Sequence, residues 1–139
     1  NPEEDFKGRF ILDIWKYSDY EIESHHDFIQ LLFPLNKPSR AVSHGYYLNE
    51  INLIERIRND QSVQKNIIKS KKWFLGFLSR NNQWKRYIDH NQLRITRIIE
   101  CLRLLVSDKE ADKFYKKIIS MLGSNYQINK KTLEFWSKA

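Results

Sequence analysis

The segment from His90 to Leu105 sets the strongest limit on the fold, because its apolar residues recur with the period of a helix. On a wheel of 100° per residue, one arc of about 120° holds most of them, namely Ile95, Ile98, Ile99, Leu102, Leu105 and Val106. Leu93 and Leu104 lie on the opposite side. Because large apolar groups on both sides are usually both covered, this spacing predicts a helix at the centre of a helical bundle.

The rest of the chain repeats this helical pattern and offers few turn residues. It has only four glycines and three prolines in 139 residues, too few for the regular turns of an all-β domain. Ser107 with Glu110 forms a capping-box pattern, and Gly123 ends the helix that follows. Leu133, Phe135 and Trp136 are expected to close one end of the core. We predict an all-α fold, a single-domain irregular bundle of about six or seven helices spanning residues 1–139.

A second segment, Ser24 to Leu35, has the apolar spacing of a shorter helix that stops at Pro34. Two helix starts are open: a capping box at Ser18 with Glu21, or a cap at Ser24. In either case Phe28, Ile29, Leu32 and Phe33 face the core. We expect this segment to pack against the central helix.

Between Pro34 and Tyr46 lies the one stretch rich in loop signals, including Pro38 and the pair His44 and Gly45. Loops of this kind often carry binding residues because they are exposed on a rigid scaffold. The candidate binding residues in it are Lys37, Arg40 and His44.

The net charge of +7 is unevenly distributed along the chain. Residues 1–30 carry eight acidic and three basic groups, whereas the remainder carries 21 basic and nine acidic groups. Lys65, Lys69 and Lys72 share one side of a helix, and Lys85 and Arg86 follow it. Such a face is most often simply solvated, but it also makes a nucleic-acid-binding domain the alternative function.

Asn91, Arg94 and Arg97 recur every three residues at the start of the central helix. The amino end of a helix has free amides and a positive dipole, so these side chains could bind a carboxylate, a peptide terminus or a phosphate. In the other interpretation they are structural and hold the loop and the acidic first helices in place.

No set of residues in the sequence indicates catalysis, a metal or a cofactor. His25 and His26 point about 100° apart on a helix, so they do not easily share one ion, and a structural position of His25 in the core is expected. His90 and Cys101 are eleven residues apart on one helix, roughly 16 Å, and cannot meet. We therefore expect a non-enzyme with an inert buried thiol and no metal or cofactor.

Two motifs resemble a known family. HHDFIQLLFPL from His25 to Leu35 and HNQLRITRII from His90 to Ile99 are similar to the conserved N-terminal region of the opioid growth factor receptor. The resemblance also includes Trp15, Leu48 with the Ile51 to Ile57 helix, WFLGF from Trp73 and TLEFW from Thr132, in the family's order. The chain differs from the family pattern at Leu31 and Gln92, two mild departures.

The resemblance implies a helical interaction domain without a catalytic set. Animal members are named for binding an enkephalin-type peptide and restraining growth, are associated with the nucleus, and have long further segments. Structural roles fall to the motif residues His25, Phe28, Ile29, Gln30, Leu32, Phe33, Pro34, Leu93 and Thr96.

The function we predict from the sequence is binding of a peptide or protein partner by a non-catalytic helical domain. An unrecognised enzyme ranks third, after the nucleic-acid-binding alternative. The single cysteine favours an intracellular location, cytoplasmic or nuclear, and neither a membrane span nor a signal peptide is expected. The pattern does not identify the partner or the oligomeric state.

Overall fold

The computed structural model describes residues 10–35 and 51–139, and within these ranges the chain is helical without strands. It has eight α-helices and one short 3₁₀ turn there, one helix more than the upper expectation. The helices are α1 (Ile11–Ile14), α2 (Asp19–Ser24), α3 (Ile29–Leu32), α4 (Ile51–Asn59), α5 (Gln61–Arg80), α6 (His90–Leu105), α7 (Asp108–Leu122) and α8 (Lys130–Lys138), with the 3₁₀ turn at Gln83–Lys85. The all-α prediction is confirmed.

Side-chain caps define where most of these helices begin. Ser18 accepts from the amide of Glu21 and Glu21 accepts from the amide of Ser18, which settles the open question in favour of a start at Asp19. The start at Ser24 is wrong, because α2 ends there and α3 is a separate turn. Burial is negligible at this exposed box, and the hydrogen bonds from Ser18 hold the pKa of Glu21 below its usual value.

The later helices begin with caps of the same kind. Asp60 accepts from the amides of Ser62 and Val63 at the start of α5, and Ser107 accepts from the amide of Glu110 at the start of α7. The cap of α6 is Asp89, whose carboxylate accepts from the amide of Asn91. Asn91 is therefore inside the helix, one residue beyond its first position.

The chain divides into two compact units, residues 1–77 and 78–139, with the boundary inside α5. The prediction of one domain over residues 1–139 stays a prediction. In the first unit the core is aromatic: Phe28 contacts Tyr17 and Trp73 edge to face, and Phe74 packs on Phe77. Trp15 lies at the edge of this core and donates its indole N–H to Ser70 Oγ at 2.9 Å.

In the second unit α6 packs against α7, α8 and the 3₁₀ turn. Five of the six residues of the arc predicted from the wheel are buried, and Val106 is half-buried. The arc packs against a second buried row on α7, made of Ala111, Phe114, Ile118 and Leu122. Trp84 and Trp136 fill the end near the 3₁₀ turn, with ring centroids 6.4 Å apart. Trp84 donates to the carbonyls of Leu78 and Asn81, so its polar edge is paired although it is buried.

Two apolar residues expected in the core lie outside it. Leu93 is 70% exposed on the side of α6 away from the core, and Phe135 is 63% exposed on α8. The prediction that apolar side chains are covered on both sides of α6 is therefore wrong at Leu93, whereas Leu104 is half-buried. Among the described helices, none is both long and apolar enough to cross a membrane.

Candidate binding surface

Arg94 and Arg97 do not form the open anion site that their spacing allowed. Arg94 is 5% exposed and Arg97 8% exposed, and Arg94 donates to the side-chain oxygen of Asn91, itself buried, at 3.0 Å. Burial lowers the pKa of Arg97, and the charges of Cys101 and Glu100 offset part of that effect. The interpretation that places these side chains inside the protein therefore fits the structure.

The loop residues Lys37, Arg40 and His44 lie outside the described residues, so their predicted binding role stays a prediction. Pro34 and Leu35, which lead into the loop, are half-buried and buried respectively.

The motif from His25 to Leu35, which contains α3, lies mostly in the core, but His25 and Gln30 depart from the expected pattern. Phe28, Ile29, Leu32 and Phe33 are buried as predicted. His25 is exposed, so its predicted core position is wrong. It caps the carboxyl end of α2, with its ring against Tyr17 at 5.1 Å between centroids. Gln30 is fully buried and has no hydrogen-bond partner among the described residues.

Cys101 has the properties of a structural thiol. It is fully buried, and burial raises its pKa to about 12, with a smaller opposing effect of Arg97. Since the thiolate is the reactive form of cysteine, this side chain is a poor nucleophile near neutral pH.

Gln92 joins three segments of the second unit. Its amide nitrogen donates to the carbonyls of Trp84 and Arg86, at 3.1 and 2.8 Å. Its amide oxygen accepts from Thr132 of α8, and its backbone carbonyl accepts from Trp136 and from Thr96. Thr96, for which a structural role was predicted, therefore donates its hydroxyl to the backbone of its own helix. Residues 81–89, which join α5 to α6 and which we call the connector, are thus held together with α6 and α8 at this point.

Four exposed apolar side chains belong to the three segments that Gln92 joins, and we call them the apolar edge. They are Tyr87, Ile88, Leu93 and Phe135, each more than half exposed. Ile88 and Leu93 lie just before the cap of α6 and at its fourth position, the two positions that pair in a hydrophobic staple. Phe135 adjoins Trp136, whose bond to the Gln92 carbonyl places it at the same end of α6.

Cations flank the apolar edge. Arg86 precedes Tyr87 and is exposed. Exposed Lys130 and Lys131 follow Asn129, whose amide donates to the carbonyl of Tyr87. The sequence pattern did not identify this surface. The signal that could have found it is the apolar pair on either side of the cap residue Asp89.

The charge of the chain is also concentrated in this unit. Residues 78–139 hold 13 basic and six acidic side chains, whereas residues 1–77 hold 11 of each, so the whole net charge of +7 belongs to the second unit. Part of it lies on α7, where Lys109, Lys113, Lys116 and Lys117 are exposed.

Comparison with known proteins agrees with the motif resemblance. The family model described as the opioid growth factor receptor conserved region matches residues 3–138. The human opioid growth factor receptor is 29% identical over 118 residues, an alignment covering 68% of this chain and 17% of the human protein. No solved structure matches the chain. Because the family model covers nearly every residue, the chain belongs to the opioid growth factor receptor conserved-region family.

Proposed function

We propose that this chain is a non-catalytic interaction domain that binds a protein partner through an acidic segment bearing apolar side chains. The observation that carries the proposal is the exposure of Ile88 and Leu93, at 75% and 70%, beside the first turn of α6. Exposed apolar groups of this size, gathered at one place and bordered by polar residues, are typical of protein-binding surfaces.

The cations beside the apolar edge favour an acidic partner. Arg86, Lys130 and Lys131 border it, and the unit that carries it has a net charge of +7. A partner with carboxylates around its apolar anchors would be attracted by this field and guided to the surface. An acidic amphipathic helix has both properties.

The surface is also held rigid, which favours binding because less ordering is needed. The hydrogen bonds of Gln92 fix the connector and α8 against α6, and Asp89 caps the helix between Ile88 and Leu93. The human relative is named as a receptor for an opioid growth factor, a binding activity in the same broad class. An intracellular location, favoured by the single cysteine, belongs to the same proposal.

The test is a calorimetric titration with an amphipathic peptide of glutamate and leucine at helical spacing. A scrambled peptide of the same composition is the first control. We expect the Ile88→Ser, Leu93→Ser double variant to lose at least about tenfold in affinity, which corresponds to about 1.4 kcal/mol. Both side chains are exposed, so the fold should be retained, and circular dichroism would check this.

A matched protein control is Ile119→Ser, since Ile119 is an exposed isoleucine on α7. This variant should bind like the original chain. Equal affinity of the double variant and the original chain would exclude the apolar edge as the site. Analytical ultracentrifugation would test whether the apolar edge instead binds a second copy of the chain. Dimerisation of the original chain that is lost in the double variant would show this.

A further inference from the structure

Helix α7 carries a row of exposed cations on its outer side. Lys109, Lys113 and Lys116 are separated by four and three residues, which places them roughly 6 and 4.5 Å apart along the axis, with Lys117 beside them. The opposite side of α7 is the buried row of Ala111, Phe114, Ile118 and Leu122. Because that row is fixed in the core, the lysine row has a fixed direction.

Two of the three acidic residues of α7, Asp108 and Asp112, are paired with a cation outside this row, and the third, Glu110, is half-buried. Arg103 at the end of α6 donates to Asp108 and to Asp112, both at 2.8 Å, and to the backbone carbonyl of Ala139 at 2.7 Å. The hydrogen bonds that Arg103 donates to Asp112 and Asp108 raise the pKa of its guanidinium. Since one guanidinium is shared by both carboxylates, their charge is directed toward Arg103, and the lysine row is left as the cationic part of α7.

The first unit has a comparable row on α5, made of Lys65, Lys69 and Lys72, which the sequence analysis considered as a nucleic-acid surface. Two facts make it the weaker candidate. Lys69 Nζ lies 4.5 Å from the centre of the Trp15 ring, so part of its interaction is internal. In addition, residues 1–77 have no net charge, whereas residues 78–139 carry +7.

A line of cations spaced by several ångströms on a rigid helix is suited to a polymer with a repeating negative charge. Anionic lipid is a weaker match, because an amphipathic helix that binds a bilayer inserts its apolar side, and the apolar side of α7 is buried in the protein. We propose that the lysine row of α7 binds the phosphate backbone of nucleic acid, without reading base sequence. This site is separate from the apolar edge and does not depend on it.

The test compares two variants with the same loss of charge. One replaces the four lysines of α7, as K109Q, K113Q, K116Q and K117Q; the other replaces four exposed lysines of the first unit, as K16Q, K65Q, K69Q and K72Q. Glutamine forms helices nearly as well as lysine, so both variants should fold. Fluorescence anisotropy would measure binding to a labelled duplex DNA and to a labelled single-stranded RNA, each of mixed sequence.

With three to four phosphate contacts, the affinity of the original chain between 50 and 200 mM salt should fall by about 40- to 150-fold for the duplex and by about 20- to 50-fold for the single strand. The α7 variant should lose most of its low-salt affinity and most of this salt dependence, while the first-unit variant keeps both. Binding of duplex alone, of single strand alone, or of both supports the proposal and identifies which backbone fits. The same four positions changed to arginine should restore binding.

Several results would overturn the proposal. Equal losses in the two glutamine variants would mean that only net charge matters, and a larger loss in the first-unit variant would place the site on α5. Absence of binding at 50 mM salt would exclude it altogether. Stronger binding to vesicles of anionic lipid than to either nucleic acid, lost in the α7 variant, would show that the row serves a membrane surface.

Discussion

Each unit of the molecule buries one glutamine, and the two side chains are in opposite situations. Gln92 in the second unit donates twice, to the carbonyls of Trp84 and Arg86, and accepts from Thr132. Gln30 in the first unit has no exposed surface, and within residues 10–35 and 51–139 neither its amide nitrogen nor its amide oxygen has a hydrogen-bond partner. The same side chain is thus a connecting group in one unit and a source of instability in the other.

The difference shows how the two cores are organised. The second unit positions its connector and α8 with directional bonds, and the apolar edge lies around those bonds. The described part of the first unit includes ring contacts, such as Phe28 with Trp73, which tolerate small changes in position. We infer that the hydrogen bonds of Gln92 give the second unit a fixed shape at the apolar edge, as a binding surface requires.

The largest expected effect is at Gln92. Methionine is close to glutamine in size but has no amide, so Gln92→Met would leave the carbonyls of Trp84 and Arg86 without their donor. We expect a loss of about 3 kcal/mol in the free energy of unfolding. Urea unfolding followed by tryptophan fluorescence would measure it, with the exposed Gln127→Met as the control. A loss below about 1 kcal/mol would mean that Gln92 is not the connecting group.

Cys101 tests whether the interior of the second unit excludes charge. Burial raises the pKa of its thiol from 9.0 to about 12, so the thiolate forms more readily in the unfolded chain. The stabilisation is complete below pH 9 and is lost as the pH rises through the window between the two values. Between pH 8 and 10 the original chain should lose roughly 1 kcal/mol more in its free energy of unfolding than Cys101→Ala.

Urea unfolding of both proteins at the two pH values would measure this difference, and the alanine variant removes the contribution of lysines and tyrosines that titrate in the same range. Parallel losses in the two proteins would show that water reaches the thiol. Cys101 is the only cysteine in the chain, so the comparison reports on the second unit alone.

Local pattern predicted the core better than the surface. The period of α6 identified Ile95, Ile98, Ile99 and Leu102 as buried, because burial of one helix side leaves a repeat in the sequence. The same wheel could not tell that Leu93 is exposed or that Arg94 is covered. Whether a side chain off the main arc is covered depends on segments far away in the chain, and spacing along one helix carries no information about them.

The prediction of the candidate site from the sequence was limited in the same way. The lysines of α7 lie opposite the buried row of their own helix, so their exposure follows from the period of that helix. Phe135 and Trp136 are neighbours that were both assigned to the core, and only Trp136 is there. The hydrogen bond from Trp136 to the Gln92 carbonyl selects between them, and this contact joins residues 44 positions apart.

The smallest expected effect is at Gln30, and it completes the comparison with Gln92. Gln30→Met removes an amide that gains no hydrogen bond in the described structure and keeps the volume of the side chain. Because burying an unpaired amide costs about 1–3 kcal/mol, the variant should be as stable as the original chain or more stable by up to about 1 kcal/mol. Unfolding in urea, run beside Gln92→Met, gives the same substitution in both units. If Gln30→Met instead destabilises by more than about 1 kcal/mol, the amide is paired in solution, with an internal water as the simplest partner, and the contrast between the two units disappears.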